Sequence, residues 1–333
     1  MAISVRGSGP ARVLLLMGLF AGVSPSGGTS QDLPDLVERC GGATGTLTLL
    51  CHQAGLALDA ARGGLATAAA AGSEISGSAS TLGYRLRSRP RFALSARAGG
   101  ARFSMVDLQD GNALRNAGEA EGLFVPSLVL AGTVGVFSGF SPAPTVGGVL
   151  ALDVTGSTHW IFAPGGRGFQ EGLPGWGLGV RMGILRESFT LPGVSLSLTR
   201  RWMGSTAVGS VAKGDPAEAA FDLTVTSVRG VVGKDILGFG LLAGLGWERN
   251  SGEGAIRARV SPTGPEGVAS ASDLVSTRVV YFGGVSRTYL ILQLSGEAGW
   301  SRSLSRGLPL EPGGGKYPSS TAYFASVALR LTF

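Results

Sequence analysis

The sequence has few charged residues and few of the side chains that build metal and catalytic sites. Only 15% of its 333 residues are charged, and it contains two Cys and two His. Four such side chains cannot build several Cys/His zinc sites, so a zinc-finger type of protein is excluded. Disordered chains are rich in charge and poor in apolar residues, whereas 44% of these residues are hydrophobic. The 56 glycines follow no three-residue period, which excludes collagen.

Phosphate-binding motifs and basic clusters are also missing. The stretches Gly238–Gly244 and Gly313–Lys316 do not match GxxxxGK[ST], and we assign them to a strand and a loop. The net charge of +6 comes from Arg residues spread along the chain, so we expect no nucleic-acid partner. Residues 122–152 are uncharged, but the Pro and Gly residues that interrupt them favour a β-hairpin over a membrane-spanning helix.

The N-terminus has the pattern of an export signal. Arg6 and Arg12 precede or flank the start of the apolar run Val13–Val23, which is too short to span a bilayer as a helix. Small residues follow this run. We therefore predict a cleaved signal peptide over residues 1–30.

The two cysteines fit an exported protein. Cys40 and Cys51 both lie after the predicted signal peptide. In an oxidising compartment they are expected to form a disulfide. A loop this short contributes about 2–3 kcal/mol to stability in the chain-entropy model.

The C-terminal residues alternate in the manner of a β-strand. Side chains of a strand point to opposite faces in turn, and here one face is apolar while the other is mixed. The apolar set is Tyr323, Ala325, Val327, Leu329, Leu331 and Phe333. A last strand of this pattern that ends in Phe resembles that of bacterial outer-membrane β-barrel proteins. The resemblance implies that Phe333 is part of the signal read by the barrel assembly machinery, and that this machinery and outer-membrane lipids are partners.

The same alternation recurs along residues 90–333. Bulky apolar residues alternate with Gly, Ser or charged residues in segments 175–184, 237–248 and 290–300. A soluble barrel would turn its bulky face inward, whereas a membrane barrel turns it to the lipid. We therefore predict an all-β fold, a transmembrane up-and-down antiparallel β-barrel of about ten strands over residues 89–333. Many glycines on the inner face indicate a narrow lumen.

The connections between the predicted strands alternate between short and long, as in barrels with short periplasmic turns and long extracellular loops. The loop over residues 249–273 contains the alternating segment Ala255–Val260. If this segment forms a hairpin that crosses the membrane, the barrel has twelve strands. A change of parity after Gly99 and Gly100 predicts a β-bulge before Phe103.

Three tryptophans fall at the predicted outer ends of their strands. They are Trp176, Trp247 and Trp300. Aromatic residues concentrate at membrane interfaces, so we predict that the three belong to an aromatic girdle. Arg200 falls on an apolar face and should lie near an interface or a bulge, because Arg at the bilayer midplane costs about 2–4 kcal/mol.

Residues 31–88 differ in composition from the barrel. The Ala- and Leu-rich segment Ala43–Ala71 has apolar residues three and four apart, which predicts an amphipathic helix. Gly63 and Gly64 are expected to break or bend this helix, and the Ser/Gly-rich segment Gly72–Ser80 to link it to the barrel. We predict a periplasmic N-terminal segment, with a plug in the lumen or a contact to a partner as alternatives.

Eight charged residues fall on the predicted luminal face. They are Arg97, Asp153, Arg181, Arg201, Asp222, Arg278, Glu297 and Arg330. Opposite charges at similar heights on neighbouring strands attract each other, more so where water is limited. The predicted pairs are Asp153 with Arg181, Arg201 with Asp222, and Arg278 with Glu297. A lumen closed by paired charges is a stabilising core rather than a wide pore.

Two of the luminal arginines have no predicted partner on a strand. Arg97 and Arg330 lie on the first and last strands, which meet where the barrel closes. One hypothesis is that the acidic start of the mature chain, with Asp32, Asp35 and Glu38, neutralises them. Hydration at the periplasmic mouth is the alternative.

The sequence thus predicts a non-enzymatic bacterial outer-membrane protein with no metal or cofactor. Its expected role is structural or interaction-based at the cell surface, with at most slow passage of small solutes. One alternative is a selective, porin-like channel gated by the N-terminal segment. Another is a barrel hydrolase, a class that uses His with Asp or Ser; His159 at a loop rim is the candidate, whereas His52 lies away from the barrel. No substrate and no particular periplasmic or cell-surface partner can be identified.

Overall fold

The computed structural model describes residues 33–42, 45–85, 89–109, 120–141, 148–165, 168–170, 172–305, 308 and 320–333. The predicted signal peptide and its cleavage position lie outside the described residues. Both therefore stay predictions.

Two helices precede the barrel. Helix α1 spans Leu33–Gly41, and helix α2 spans Gly45–Ala70. A disulfide joins Cys40 in α1 to Cys51 in α2, which confirms the predicted pair. Over the described ranges, no helix is long and apolar enough to cross a membrane.

Ten antiparallel strands form a closed barrel, which confirms the predicted fold class. In chain order they are β1 Phe92–Val106, β2 Ala120–Phe137, β3 Leu152–Ile161, β4 Leu173–Leu185, β5 Gly193–Val208, β6 Ala217–Ile236, β7 Phe239–Arg259, β8 Glu266–Tyr289, β9 Leu292–Ser303 and β10 Thr321–Thr332. Each strand pairs with its neighbours in sequence, and β10 pairs with β1 to close the barrel. A separate two-stranded pair, Tyr84–Arg85 with Arg89–Pro90, precedes β1.

The C-terminal residue takes part in barrel closure. The backbone N–H of Phe333 donates to the carbonyl of Phe92 at 2.8 Å, and the N–H of Phe92 donates back at 3.2 Å. The terminal aromatic is therefore fixed at the seam between the first and last strands. That the assembly machinery reads it remains a prediction.

The two ends of the barrel differ in their connections. At the end that we call the short-turn end, Leu237–Gly238 joins β6 to β7, and residues 290–291 join β8 to β9. Leu237 and Leu290 have φ angles of 52° and 55° in these tight turns, as two-residue hairpin turns require. The opposite end, where β5 connects to β6 and β7 to β8, is the long-loop end.

The twelve-stranded alternative is wrong. Strands β7 and β8 pair continuously from Phe239 to Arg259 and from Glu266 to Arg287, apart from one register shift after Ala271. The alternating residues within 249–273 thus lengthen two existing strands instead of adding two. Because these two strands are long, their hairpin extends the wall at the long-loop end.

The predicted β-bulge before Phe103 is also wrong. Strand β1 pairs with both neighbours without a register shift, and Phe103 and Met105 are buried on its luminal face. The apolar residues change parity there because the inner face of the barrel changes from polar to apolar along the strand. Near the long-loop end the luminal face is apolar, whereas near the short-turn end it is polar.

Candidate functional site

Helix α2 lies inside the barrel, where it packs against β1, β6 and β7. Its first half is near the long-loop end, since Gly55 lies against Val37 of α1 and Leu308, and Gly267 at the start of β8 lies against the backbone of Cys40 in α1. The prediction of a periplasmic location for this segment is therefore corrected, and the alternative of a plug in the lumen is the arrangement that the structure has. The cause is the apolar inner face, which gives an Ala- and Leu-rich helix a place to be buried.

The two mid-helix glycines do not break the helix, contrary to expectation. Helix α2 continues through Gly63 and Gly64 to Ala70. A Cβ atom at Gly63 would overlap the guanidinium of Arg278, and one at Gly64 would overlap the ring of Phe103. At these glycines the helix comes too close to side chains of the wall for a Cβ atom, so packing offsets their low helix propensity.

Two polar contacts fix the helix along the lumen. Arg62 Nη2 donates to the carbonyl oxygen of Leu274 at 2.6 Å. The hydroxyls of Thr67 and Ser301 are 2.7 Å apart. Both contacts join the helix to the wall at defined heights, so its position along the barrel axis is specified.

After the helix, residues 71–83 run through the polar half of the lumen towards the short-turn end; we call them the linker. Two wall carboxylates bind its backbone. Glu297 accepts from Ser73 N at 2.5 Å and Gly77 N at 3.0 Å, and also from the Ser73 hydroxyl at 2.5 Å. Asp153 accepts from Leu82 N at 2.9 Å. Buried amides that would otherwise lack partners are thereby satisfied.

The luminal arginines bind the carbonyl oxygens of the same linker. The bonds are Arg97 to Ser73 at 3.0 Å, Arg181 to Ser78 at 2.8 Å and Ser80 at 3.0 Å, Arg330 to Ser76 at 3.2 Å, and Arg229 to Gly72. The wall therefore offers cations to the carbonyls of the linker and anions to its amides. The linker replaces the water that would fill this half of the lumen.

The predicted charge pairs are mostly not formed. Asp153 and Arg181 lie directly opposite in register, but each bonds to the linker. The other two pairs are wrong, because the true registers place Val225 opposite Arg201 and Gly284 opposite Glu297.

The residues of these two wrong pairs have other partners. Asp222 lies three residues from Val225, the partner of Arg201, and on the opposite face of β6, so the prediction that it is a luminal charge is wrong. It accepts a bond from the backbone N–H of Glu253. Arg278 donates to the Ser301 hydroxyl at 3.3 Å and to the Ser320 carbonyl at 3.0 Å. The two pairs were predicted wrongly because the connections between the strands are centred at other residues than the sequence suggested.

Two buried ion pairs were missed by the sequence analysis. Arg201 Nη2 is 2.6 Å from Glu74 Oε1 and 2.8 Å from Oε2, and Arg229 pairs with Glu248. Arg229 lies on the luminal face of β6, which continues beyond it to Ile236. Glu248 alternates with outward-facing Trp247, a signal that could have placed it in the lumen.

The acidic start of the mature chain does not neutralise Arg97 and Arg330 in the described part of the chain. Asp32 lies outside the described residues. Asp35 and Glu38 are in α1, which packs on β7 and β8, whereas the two arginines bond to the linker. Backbone carbonyls thus take the place of the predicted carboxylates.

One cavity in the polar half of the lumen is small. A cavity of about 10 Å³ lies between Glu74, Arg97, His159 and Arg201, which is room for roughly one water molecule. Within the described ranges, no three His, Cys, Asp or Glu side chains come together as metal ligands. The linker therefore leaves room for little more than a water molecule at this level of the lumen.

His159 is in this buried region, not at a loop rim. It is 2% exposed, and its Nε2 is 2.8 Å from the Ser157 hydroxyl. A hydrolase needs such a pair in contact with substrate. Here the pair lies inside the lumen, where it lines the same small cavity as Glu74 and Ser76 of the linker.

Comparison with known proteins gives structural likeness only. No family model and no curated protein matches the sequence. The translocator domain of the autotransporter NalP from Neisseria meningitidis matches with a TM-score of 0.38 and 12% identity over 73% of this chain and 88% of that one. The transport unit of the autotransporter AIDA-I from Escherichia coli matches with a TM-score of 0.35 and 10% identity over 82% and 99%. Neisserial surface protein A matches with a TM-score of 0.27 and 9% identity over 73% and 97%.

Proposed function

We propose that this chain is an integral protein of the bacterial outer membrane whose lumen is closed by its own residues 45–83. Its outer face supports this location, because large apolar side chains are exposed on it in place of a polar surface. Examples are Leu94, Leu130, Leu178, Leu241, Leu245, Leu294 and Val327, each more than 40% exposed. A continuous apolar belt of this kind is suited to lipid.

The role that we propose is structural or interaction-based, with at most slow passage of small solutes. The observation that supports this role is the occupied lumen. There, charged side chains of the wall, instead of water, form hydrogen bonds with the linker backbone. Each hydrogen bond between linker and wall that breaks on opening would leave a buried polar group unpaired. This costs about 1–3 kcal/mol per group. Opening the lumen is therefore costly.

We also propose that the start of the N-terminal segment lies at the cell surface. If the long loops face outward, as in other outer-membrane barrels, then α1 and the Cys40–Cys51 disulfide are at the outer surface. The disulfide holds α1 against the start of α2, beside β8. This compact, covalently tied pair of helices is the part of the chain best placed for contact with a partner outside the cell.

Single-channel recording in planar bilayers tests the closed lumen. The intact protein should give no steady openings. The double variant Glu74→Gln, Glu297→Gln should give openings, since both carboxylates hold the linker, whereas Glu38→Gln on the exposed face of α1 should not. Steady conductance of the intact protein would contradict the proposal.

A gated channel is the second candidate function. It is favoured by the way the linker is held, since its bonds to the wall are non-covalent and concentrated in the polar half of the lumen. Reversible openings of the intact protein that vanish when the helix is cross-linked to the wall would support this candidate over the first. We propose no hydrolase activity, because His159 is enclosed.

A further inference from the structure

Four arginines face away from the lumen in the middle of their strands or nearer the long-loop end. Arg102, Arg249 and Arg302 each lie ten residues from the short-turn end of their strand, and Arg200 lies seven residues from it. Each follows the outward parity of its strand, and Arg102, Arg249 and Arg302 are exposed. We call these four residues the arginine belt.

The arginine belt borders a ring of outward-facing aromatic residues. These lie eight or nine residues from the short-turn end: Trp176, Trp202, Trp247, Tyr281, Trp300 and Tyr323. At about 3.3 Å per residue and a tilt of about 40°, this ring is about 20–23 Å above the short turns. The apolar band of such barrels is about 25 Å tall. By the same measure Arg102, Arg249 and Arg302 are about 25 Å above the short turns, at the height of the head groups of one leaflet. Arg200 is at about 18 Å, just below the ring, and its guanidinium extends over Trp202 towards the head groups.

The arginine belt has no acidic partner among the described residues. The outward neighbours of Arg249 are Thr226 and Thr277, and those of Arg302 are Val279 and Thr321. No salt bridge within the described ranges involves any of the four arginines. An unpaired cation at a membrane interface is free to bind an anionic lipid group.

Arginines nearer the tip of the β7–β8 hairpin do have an acidic partner. Arg257 and Arg259 both pair with Glu266, at 3.2 and 2.5 Å. Among the residues that the structure describes, charge is therefore neutralised within the protein beyond the membrane surface, but not at the level of the head groups. This contrast indicates that the counter-charge of the arginine belt comes from the membrane.

The spacing of the arginine belt suits a head group with more than one phosphate. Arg200, Thr226, Arg249 and Thr277 are consecutive partners in register across β5 to β8. Strands are about 4.8 Å apart, so the two arginines are about 10 Å apart with a hydroxyl between them. Arg200 is held over the ring of Trp202, 5.4 Å from its centroid. Guanidinium and hydroxyl groups together are the donors that phosphate oxygens accept.

We propose that the arginine belt binds a phosphorylated glycolipid of the outer leaflet through its phosphate groups. The ring of aromatic residues packs against the upper part of the acyl region, and Arg200, Arg249, Arg302 and Arg102 hold the phosphates. This binding site is on the outside of the barrel. It does not depend on whether the lumen is open or closed.

The test uses the full-length protein in phosphatidylcholine vesicles that contain diphosphoryl lipid A, dephosphorylated lipid A or phosphatidylglycerol. Lipid that remains bound after detergent extraction is counted by native mass spectrometry. The intact protein should retain diphosphoryl lipid A at least ~10-fold more strongly than either of the other two, and high salt should weaken this retention. The comparison among lipids needs no variant.

Variants then locate the site. The triple variant Arg102→Gln, Arg249→Gln, Arg302→Gln should lose this preference. Arg287→Gln is the matched control, because Arg287 also faces outward but lies at the short-turn end, over Phe239 and Tyr289. Equal retention of phosphorylated and dephosphorylated lipid, equal retention of phosphatidylglycerol, or an unchanged preference in the folded triple variant would each overturn the proposal.

Discussion

Arg201 on β5 and Glu74 in the linker form a buried ion pair, with Arg201 Nη2 2.6 Å from Glu74 Oε1. The pair joins the wall of the barrel to the segment that fills it. Both side chains are nearly fully buried beside a cavity with room for about one water molecule, so little water can stabilise either charge if the other is removed. Two residues that are 127 positions apart in sequence thus depend on each other.

The first prediction concerns this pair. Either Arg201→Gln or Glu74→Gln should lower the free energy of unfolding by about 3–5 kcal/mol, because each leaves one unpaired buried charge. The double variant should lose less than the sum of the two, since it leaves no lone charge. Urea unfolding in lipid vesicles measures the double-mutant cycle. Additive losses would show that the two charges do not interact.

The second prediction concerns the contact between Gly64 and Phe103. An added Cβ at Gly64 would overlap the Phe103 ring, so Gly64→Ala should destabilise the folded protein although Ala is the better helix former by about 1 kcal/mol. Adding Phe103→Leu should restore part of the stability by making room. Gly45→Ala is the control, because no atom lies within 4 Å of its added Cβ. If Gly64→Ala proves as stable as the control, the helix does not pack on the wall at this point.

These two contacts show what could and could not be predicted from the sequence. The strands were predictable because lipid requires only that outward positions be apolar, and that requirement repeats every second residue, as in residues 237–248. The inner contacts were not predictable in this way, because they depend on which distant segment fills the lumen. The alternation around Phe103 predicts a bulge only if the whole interior is polar. Pairing charges across neighbouring strands predicts Arg278 as the partner of Glu297, whereas Glu297 binds Ser73 and Gly77 of the linker.

The third prediction concerns the orientation of the chain. Because the native cysteines form a disulfide, a membrane-impermeant maleimide reports only on introduced thiols. On intact cells, Asp35→Cys in α1 and Lys213→Cys in the β5–β6 connection should both be labelled. Phe189→Cys, which is fully exposed in the β4–β5 connection at the short-turn end, should be labelled only after the outer membrane is permeabilised. Labelling of Phe189→Cys alone on intact cells would reverse the orientation.

The central claim is that α2 lies inside the barrel, and a single cross-link tests it most directly. The Thr67 and Ser301 hydroxyls are 2.7 Å apart, so the double variant Thr67→Cys, Ser301→Cys should form a second disulfide under mild oxidation. The control pairs Thr67→Cys with Arg302→Cys, one residue along β9 but on the outer face. Peptide mass mapping should find the new disulfide in the first variant and not in the control. Absence of the disulfide in the folded first variant, or equal yields in both, would contradict a helix inside the lumen.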